Sequence, residues 1–194
     1  MKRAALLAAA VLTLTACGPA AAMTASPDAM ATAPASHGLK KVHDPRHVTG
    51  TIHGHCTYRD KGQLPDPRCT PGSIDPAVTQ ANLRSTICRS GYTKTVRPPE
   101  SQTEAFKKHV AFPAYGLSWP RESELDHEVP LELGGSNDAT NLWPEVGKPS
   151  GNPKDRVENA LNHAVCSGRI TLAAAQLAIA ANWMTAVQKF GIKP

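Results

Sequence analysis

The chain has 194 residues, 41% hydrophobic and 5% aromatic, with 21 Lys and Arg against 16 Asp and Glu for a formal charge of +5. Without Lys2 and Arg3, which sit in a leader-like start, the balance is 19 to 16, or +3. That excludes a binder held by strong positive charge alone, while leaving nucleic acid as an allowed partner.

Met1-Lys2-Arg3 is a positive start, and the apolar run Ala4 to Leu14 is too short to span a bilayer in a mature protein. The layout is that of a secretory signal. Leu14-Thr15-Ala16-Cys17 resembles a bacterial lipobox. The resemblance implies that segment 1–17 is removed, that Cys17 becomes a lipidated N-terminus, and that the exported chain meets the membrane through this anchor. An ordinary signal cleaved nearby, with Cys17 incidental, is the alternative. Gly18 rather than Asp after the cysteine suits outer-membrane sorting in a Gram-negative cell. Residues 18–50 are rich in Ala, Pro, Ser, Thr and Met and read as a flexible tether, because so few large apolar side chains cannot offset chain entropy. The remaining segment, 51–194, is roughly 140 residues and suits one domain. His43, His47, His53, His55 and Cys56 have no fixed spacing and read as a polar segment rather than a transition-metal site.

Cys56, Cys69, Cys88 and Cys166 form an even set in an oxidising compartment, which favours two disulfides. No Cys-x-x-Cys spacing supports zinc instead. Of three pairings, Cys56–Cys69 and Cys88–Cys166 are preferred: the first closes a Pro/Gly-rich loop and the second ties two predicted helices.

Asp75-Pro76 predicts a helix to about Cys88, with Asp as N-cap and Pro at the first turn. After Arg97-Pro98-Pro99, Ser101-Gln102-Thr103-Glu104 matches a capping box and predicts a second helix ending before Pro113. Ser123 to His127 reads as a strand, 130–138 as a loop, and Asn141 to Trp143 as a second strand. Val157, Ala160, Leu161, Ala164 and Val165 make an apolar stripe for a helix from Lys154 to Ser167. Thr171 caps a last helix that buries Leu172, Ala175, Ile179, Trp183 and Val187.

The chemistry concentrates in Glu124 to Glu145, ELDHEVPLELGGSNDATNLWPE. A carboxylate at Asp126 suits a hard cation. His127, on the opposite side of an extended backbone, is then left free as a general base. Each residue also has a plain structural reading: Asp126 paired with a nearby Arg or Lys, His127 hydrogen-bonded, Asn141 capping a turn.

The string Leu125-Asp126-His127-Glu128-Val129-Pro130-Leu131, then Gly134-Gly135, Asn141-Leu142-Trp143-Pro144 and Lys154-Asp155-Arg156-Val157-Glu158-Asn159, resembles the HNH nuclease family, or ββα-metal fold. Cys69-Thr70-Pro71-Gly72, Thr86-Ile87-Cys88 and Val96-Arg97-Pro98 are similar to exported bacterial members. The resemblance implies an α+β fold: a two-stranded ribbon and a helix as the ββα-metal core, surrounded by additional helices. It implies that His127 activates water, that Asp126 binds a divalent metal, and that Asn141 orients the histidine and braces the loop. Members carry a further histidine or asparagine ligand at the start of the helix, where Asn152 stands; such a pair would bring the Asp126 carboxylate and the Asn152 amide oxygen within about 5 Å. An oxygen-dominated site favours Mg²⁺ or Mn²⁺, with Zn²⁺ the remaining option.

Lys148, Lys154 and Arg156 flank the motif and are candidates for phosphate contacts that are salt-sensitive and independent of sequence, or for a solvated charged face. Glu158 is either a carboxylate behind the ligands or an i,i+4 partner of Lys154. The implied activity is hydrolysis of phosphodiesters in DNA, RNA being a second substrate, with little sequence specificity. No protein partner is indicated. The rival reading is a non-catalytic envelope lipoprotein that keeps the fold as a binding module.

Overall fold

The computed structural model describes residues 38–147 and 152–193. The signal segment 1–17, Cys17 and the first part of the tether lie outside the described residues. From Gly38 onward the chain already belongs to the domain, which corrects the boundary expected at residue 50. Lys40–Lys41 (β1) pairs in parallel with Ser73–Ile74 (β2), and Thr49 exchanges backbone hydrogen bonds with the 137–139 segment. Low hydrophobicity misled here, because this stretch is held by backbone pairing and by the buried Asp44 rather than by apolar burial.

The expected helix from Asp75 does not form; the stretch is turns around a short 3₁₀ segment, Leu83–Ser85. Its polar side chains compete for the backbone. Asp75 accepts from the Ala77 N–H, Asn82 accepts from the Thr79 N–H and donates to the Ala77 carbonyl, and Thr86 donates to the Asn82 carbonyl. Tyr92–Val96 (α1) follows and stops at Arg97, which is extended because it precedes Pro98. Glu100–Phe106 (α2) continues through a π-helical stretch, Lys107–Ala111, into Phe112–Ala114 (α3). The capping box is not made, since Pro99 is the N-cap, and the helix passes through Pro113, which sits in the first turn of α3.

Ser123–His127 (β3) and Leu142–Val146 (β4) form an antiparallel ribbon, with Glu124 opposite Glu145, Asp126 opposite Trp143 and His127 opposite Leu142. Asn141 closes a 3₁₀ turn just before β4 rather than opening the strand. Pro153–Cys166 (α4) has Pro at its first turn and Asn152 as N-cap. Leu172–Ala181 (α5) starts at the expected cap, Thr171, whose hydroxyl accepts from the Ala174 N–H. It breaks at Asn182, which is extended and caps Trp183–Ala186 (α6). Val157, Leu161, Leu172, Ala175, Ile179, Trp183 and Val187 are all buried in one core with Val129 and Leu133. The apolar positions of the last helix were therefore right although the helix is two.

Both preferred disulfides are present. Cys56–Cys69 and Cys88–Cys166 have Cα separations of 6.0 and 5.6 Å, within the range a bridge needs. Cys88–Cys166 ties the 3₁₀ region to the end of α4. Mixed helices and small two-stranded sheets make the fold α+β. No helix among the described residues is long and apolar enough to cross a membrane.

Candidate active site

Alternation along β3 places Glu124 and Asp126 on one face of the ribbon, with Glu145 of β4 directly opposite Glu124. Like charges facing each other across strands destabilise a sheet. Sequences that fold well break such a rule chiefly where function requires it. Two clefts of about 270 and 380 Å³ open here and share Arg97, Glu124 and His127 in their walls. The smaller is also lined by Asp126, Glu132, Asp155 and Glu158, so Arg97 is its one cation among the described residues.

His127 is 5% exposed, and its Nε2 lies 3.0 Å from Asn137 Oδ1. Burial, with help from Arg97 and Lys154, pulls its pKa down to about 4, against the opposing pull of Asn137 and Asp126. The imidazole is therefore neutral at physiological pH and able to accept a proton.

Asp126 Oδ1 accepts from the His127 N–H at 2.7 Å, and Oδ2 is ion-paired at 2.7 Å with Lys154 Nζ. Lys154 is fully buried. Its ammonium also pairs with Glu158 one turn along α4 and donates to the His127 carbonyl at 2.8 Å. Burial would lower its pKa, but Asp126, Glu158 and Glu128 outweigh that and hold it above the ordinary range. With three donors and three acceptors, nothing is left for a phosphate, which corrects its reading as a substrate contact. Arg156 is exposed and lines a neighbouring cleft with His163, Arg169 and Lys193, which shares Asn159 with the smaller one. Lys148 lies outside the described residues.

Asn141 is completely buried, and its amide makes four hydrogen bonds. Oδ1 accepts from the Ser73 and Val129 N–H groups, and Nδ2 donates to the Val129 and Ser136 carbonyls. It braces the loop, while the hydrogen bond to the imidazole comes from Asn137. Gly135 lies against this brace, where a Cβ would fall 1.7 Å from the Val129 carbonyl oxygen; only glycine fits. Asn152 is the N-cap of α4. Its Oδ1 caps α4 by accepting from the Asp155 N–H at 3.0 Å, and its Nδ2 donates to Glu145 Oε2 at 3.1 Å. Of the histidine-rich segment, His43 pairs with Asp75 at 2.8 Å and Cys56 is in a disulfide.

Around these residues is a set of strained carboxylates. Burial pushes Glu124 up to about 7 and Glu128 and Glu145 up to about 8, the negative charge of Asp126 adding to each. Glu128 is 1% exposed, and among the described residues neither of its carboxylate oxygens has a hydrogen-bond partner; Glu124 Oε2 is likewise buried without one. These oxygens are hard donors. Among the described residues no three His, Cys, Asp or Glu side chains converge on one point, but Mg²⁺ needs no such cage, since it keeps several waters and takes one or two carboxylates plus substrate phosphate. Asp126 with the unpartnered oxygen of Glu124 fits that demand.

These shifts predict a pH dependence of stability. For Glu124, Glu128 and Glu145 the folded values exceed the ordinary 4.5, so between about pH 4.5 and 8 the native state holds the extra protons and stability falls as pH rises. His127 acts oppositely between about pH 4 and 6.5, where the unfolded chain holds the proton and stability rises with pH. Above pH 6.5 the carboxylates act alone. The thermal midpoint in the presence of a chelator is expected to fall from pH 6.5 to 8 in a circular-dichroism melt; a flat or rising midpoint would contradict it.

The site residues to which sequence reading gives no role are the charged Arg97, Glu124, Glu128 and Glu145 and the amide Asn137. Period-two alternation from Asp126 would have found Glu124 and Glu128. Asn137 carried no signal beyond its place in the glycine-rich loop. Compared with protein-family models, curated proteins and solved structures, this chain matches none.

Proposed function

We propose that this protein is an exported, metal-dependent endonuclease of the HNH type, cleaving phosphodiesters of DNA, and of RNA as a second substrate, with little sequence specificity. The observation that carries the reading is a buried histidine at the wall of a cleft lined by Asp126, Glu124 and one exposed arginine. His127 accepts a proton from the attacking water, which is what a neutral imidazole beside carboxylates is suited to do. Arg97, whose planar fork matches two phosphate oxygens, holds the scissile group. It takes the part expected of Lys154, whose ammonium is occupied. Asp126, with Glu124, would hold the divalent cation, which neutralises charge on the phosphate and the departing oxygen when bound. Lipid anchoring through Cys17 would keep this activity outside the cytoplasm.

The purified protein is expected to nick plasmid with Mg²⁺ or Mn²⁺ and to stop with EDTA. His127→Ala should lose about 10²–10⁴-fold in kcat, the usual contribution of a general base. A variant that cleaves like the parent, with its fold intact by circular dichroism, ends the assignment. One observation favours the rival reading, a non-catalytic envelope lipoprotein that binds without cutting: the amide oxygen of Asn152 already caps α4. Plasmid retained on a filter but never nicked under any divalent cation would decide for it.

A further inference from the structure

Asn137 sits in the glycine-rich loop and is 1% exposed. Its Nδ2 donates to the carbonyls of Asp44 at 3.0 Å and Val96 at 3.1 Å, while its backbone N–H donates to Asp44 Oδ1 at 2.8 Å. The amide therefore has one allowed orientation, because turning it over would set Oδ1 against two carbonyl oxygens in a buried place. In that orientation Oδ1 faces His127 Nε2 at 3.0 Å. An amide oxygen only accepts, so Nε2 must carry the hydrogen.

We infer that Asn137, clamped by Asp44, is the positioning residue of His127: its amide oxygen holds a hydrogen on Nε2 and leaves Nδ1 as the basic nitrogen. The inference rests on the hydrolase reading for its consequence, though not for its geometry. Asp44 is itself fixed, accepting from the Thr49 hydroxyl at 2.7 Å through its other oxygen. The segment that reads as tether in the sequence thus supplies the anchor of the base. Val96, the second anchor, immediately precedes Arg97, so the same amide ties the imidazole to the backbone that carries the cleft's cation. Without the clamp a neutral imidazole is free to place its hydrogen on either nitrogen, and in the wrong tautomer a base in a related arrangement loses up to about 10⁴ in kcat.

The test is a long-range ¹H–¹⁵N correlation spectrum of the full chain labelled with ¹⁵N-histidine at pH 7, the His127 signals being identified by their loss in His127→Gln. The parent should show a protonated Nε2 and a bare Nδ1. Asn137→Leu should show a mixture and lose at least about 10-fold in kcat with KM unchanged. Asn137→Asp, whose second oxygen must carry a proton to meet the Asp44 and Val96 carbonyls, keeps an acceptor for Nε2–H and should hold the single tautomer and retain more kcat than the leucine variant. A hydrogen on Nδ1 in the parent overturns the inference whether or not either variant folds, as does a single Nε2–H tautomer in Asn137→Leu. The expected tautomers with no cleavage by the parent would support the positioning and sink the hydrolase reading instead.

Discussion

Replacing Lys154 with methionine should cost the fold about 3–5 kcal/mol at pH 7.5, the usual loss when one partner of a buried ion pair is removed, and clearly less at pH 5. The ammonium is fully buried and satisfies Asp126, Glu158 and the His127 carbonyl at once. Methionine keeps the stem's packing but leaves two carboxylates in a low-dielectric place with no cation. Burial already raises Glu158 above the ordinary carboxylate range, the Lys154 charge opposing it, so removing that charge raises it further. The variant can then relieve its repulsion only by taking up protons, which are plentiful at pH 5 and scarce at pH 7.5. Urea unfolding at the two pH values measures this as a shift in midpoint with unchanged slope. Equal losses at both would remove the ion pair as the cause. A stable variant that merely binds nucleic acid less tightly would restore Lys154 as a phosphate contact.

The elements that could be read in the sequence are those whose local signals agree with their burial. The stripe from Val157 to Val165 lies on the buried side of α4, and the strand at Ser123 to His127 has the bounds its alternation indicated. Local signals failed where a side chain had a better partner than the one its motif implies. Asp75 carries an N-cap signature but forms a tight turn and binds His43, and Ser101 carries half of a capping box that Pro99 pre-empts. Asn182 splits the last helix because its side chain caps the Met184 N–H, an event no periodicity forecasts.

For the candidate site, the motif marks the strand, loop and helix whose residues line the smaller cleft, but not the partners those residues take. The plain reading of Asp126, pairing with a lysine, holds together with its place on the cleft wall. Cys56–Cys69 closes the loop its pairing rests on, whereas Cys88–Cys166 is present although the helix expected to carry Cys88 does not form. Asn137 and Asp44 lie 93 residues apart, and such a contact leaves no trace in a single sequence. Neither does the depth of Lys154, since a lysine two residues into a helix is ordinarily solvated.

Asn141→Ala should be the more damaging change, with a loss of roughly 4 kcal/mol or more. It orphans the Ser73 and Val129 N–H groups and the Val129 and Ser136 carbonyls, all at a position with no solvent access. Each buried group left without a partner costs about 1–3 kcal/mol, against a total stability of about 5–15 kcal/mol. The loop cannot close over the gap. Gly135 already packs against the Val129 carbonyl so tightly that one added carbon would overlap it, and the same carbon would lie 2.9 Å from Asn141 Nδ2. The damage reaches the histidine through the backbone, because the Asn141 carbonyl accepts from the Glu128 N–H at 2.8 Å and so sets the end of β3. Amide hydrogen exchange at Val129 should accelerate in step with the drop in unfolding midpoint. If the variant instead kept the parent's stability and protection yet failed to cleave nucleic acid, Asn141 would belong on the substrate rather than in the frame that holds the loop beneath His127.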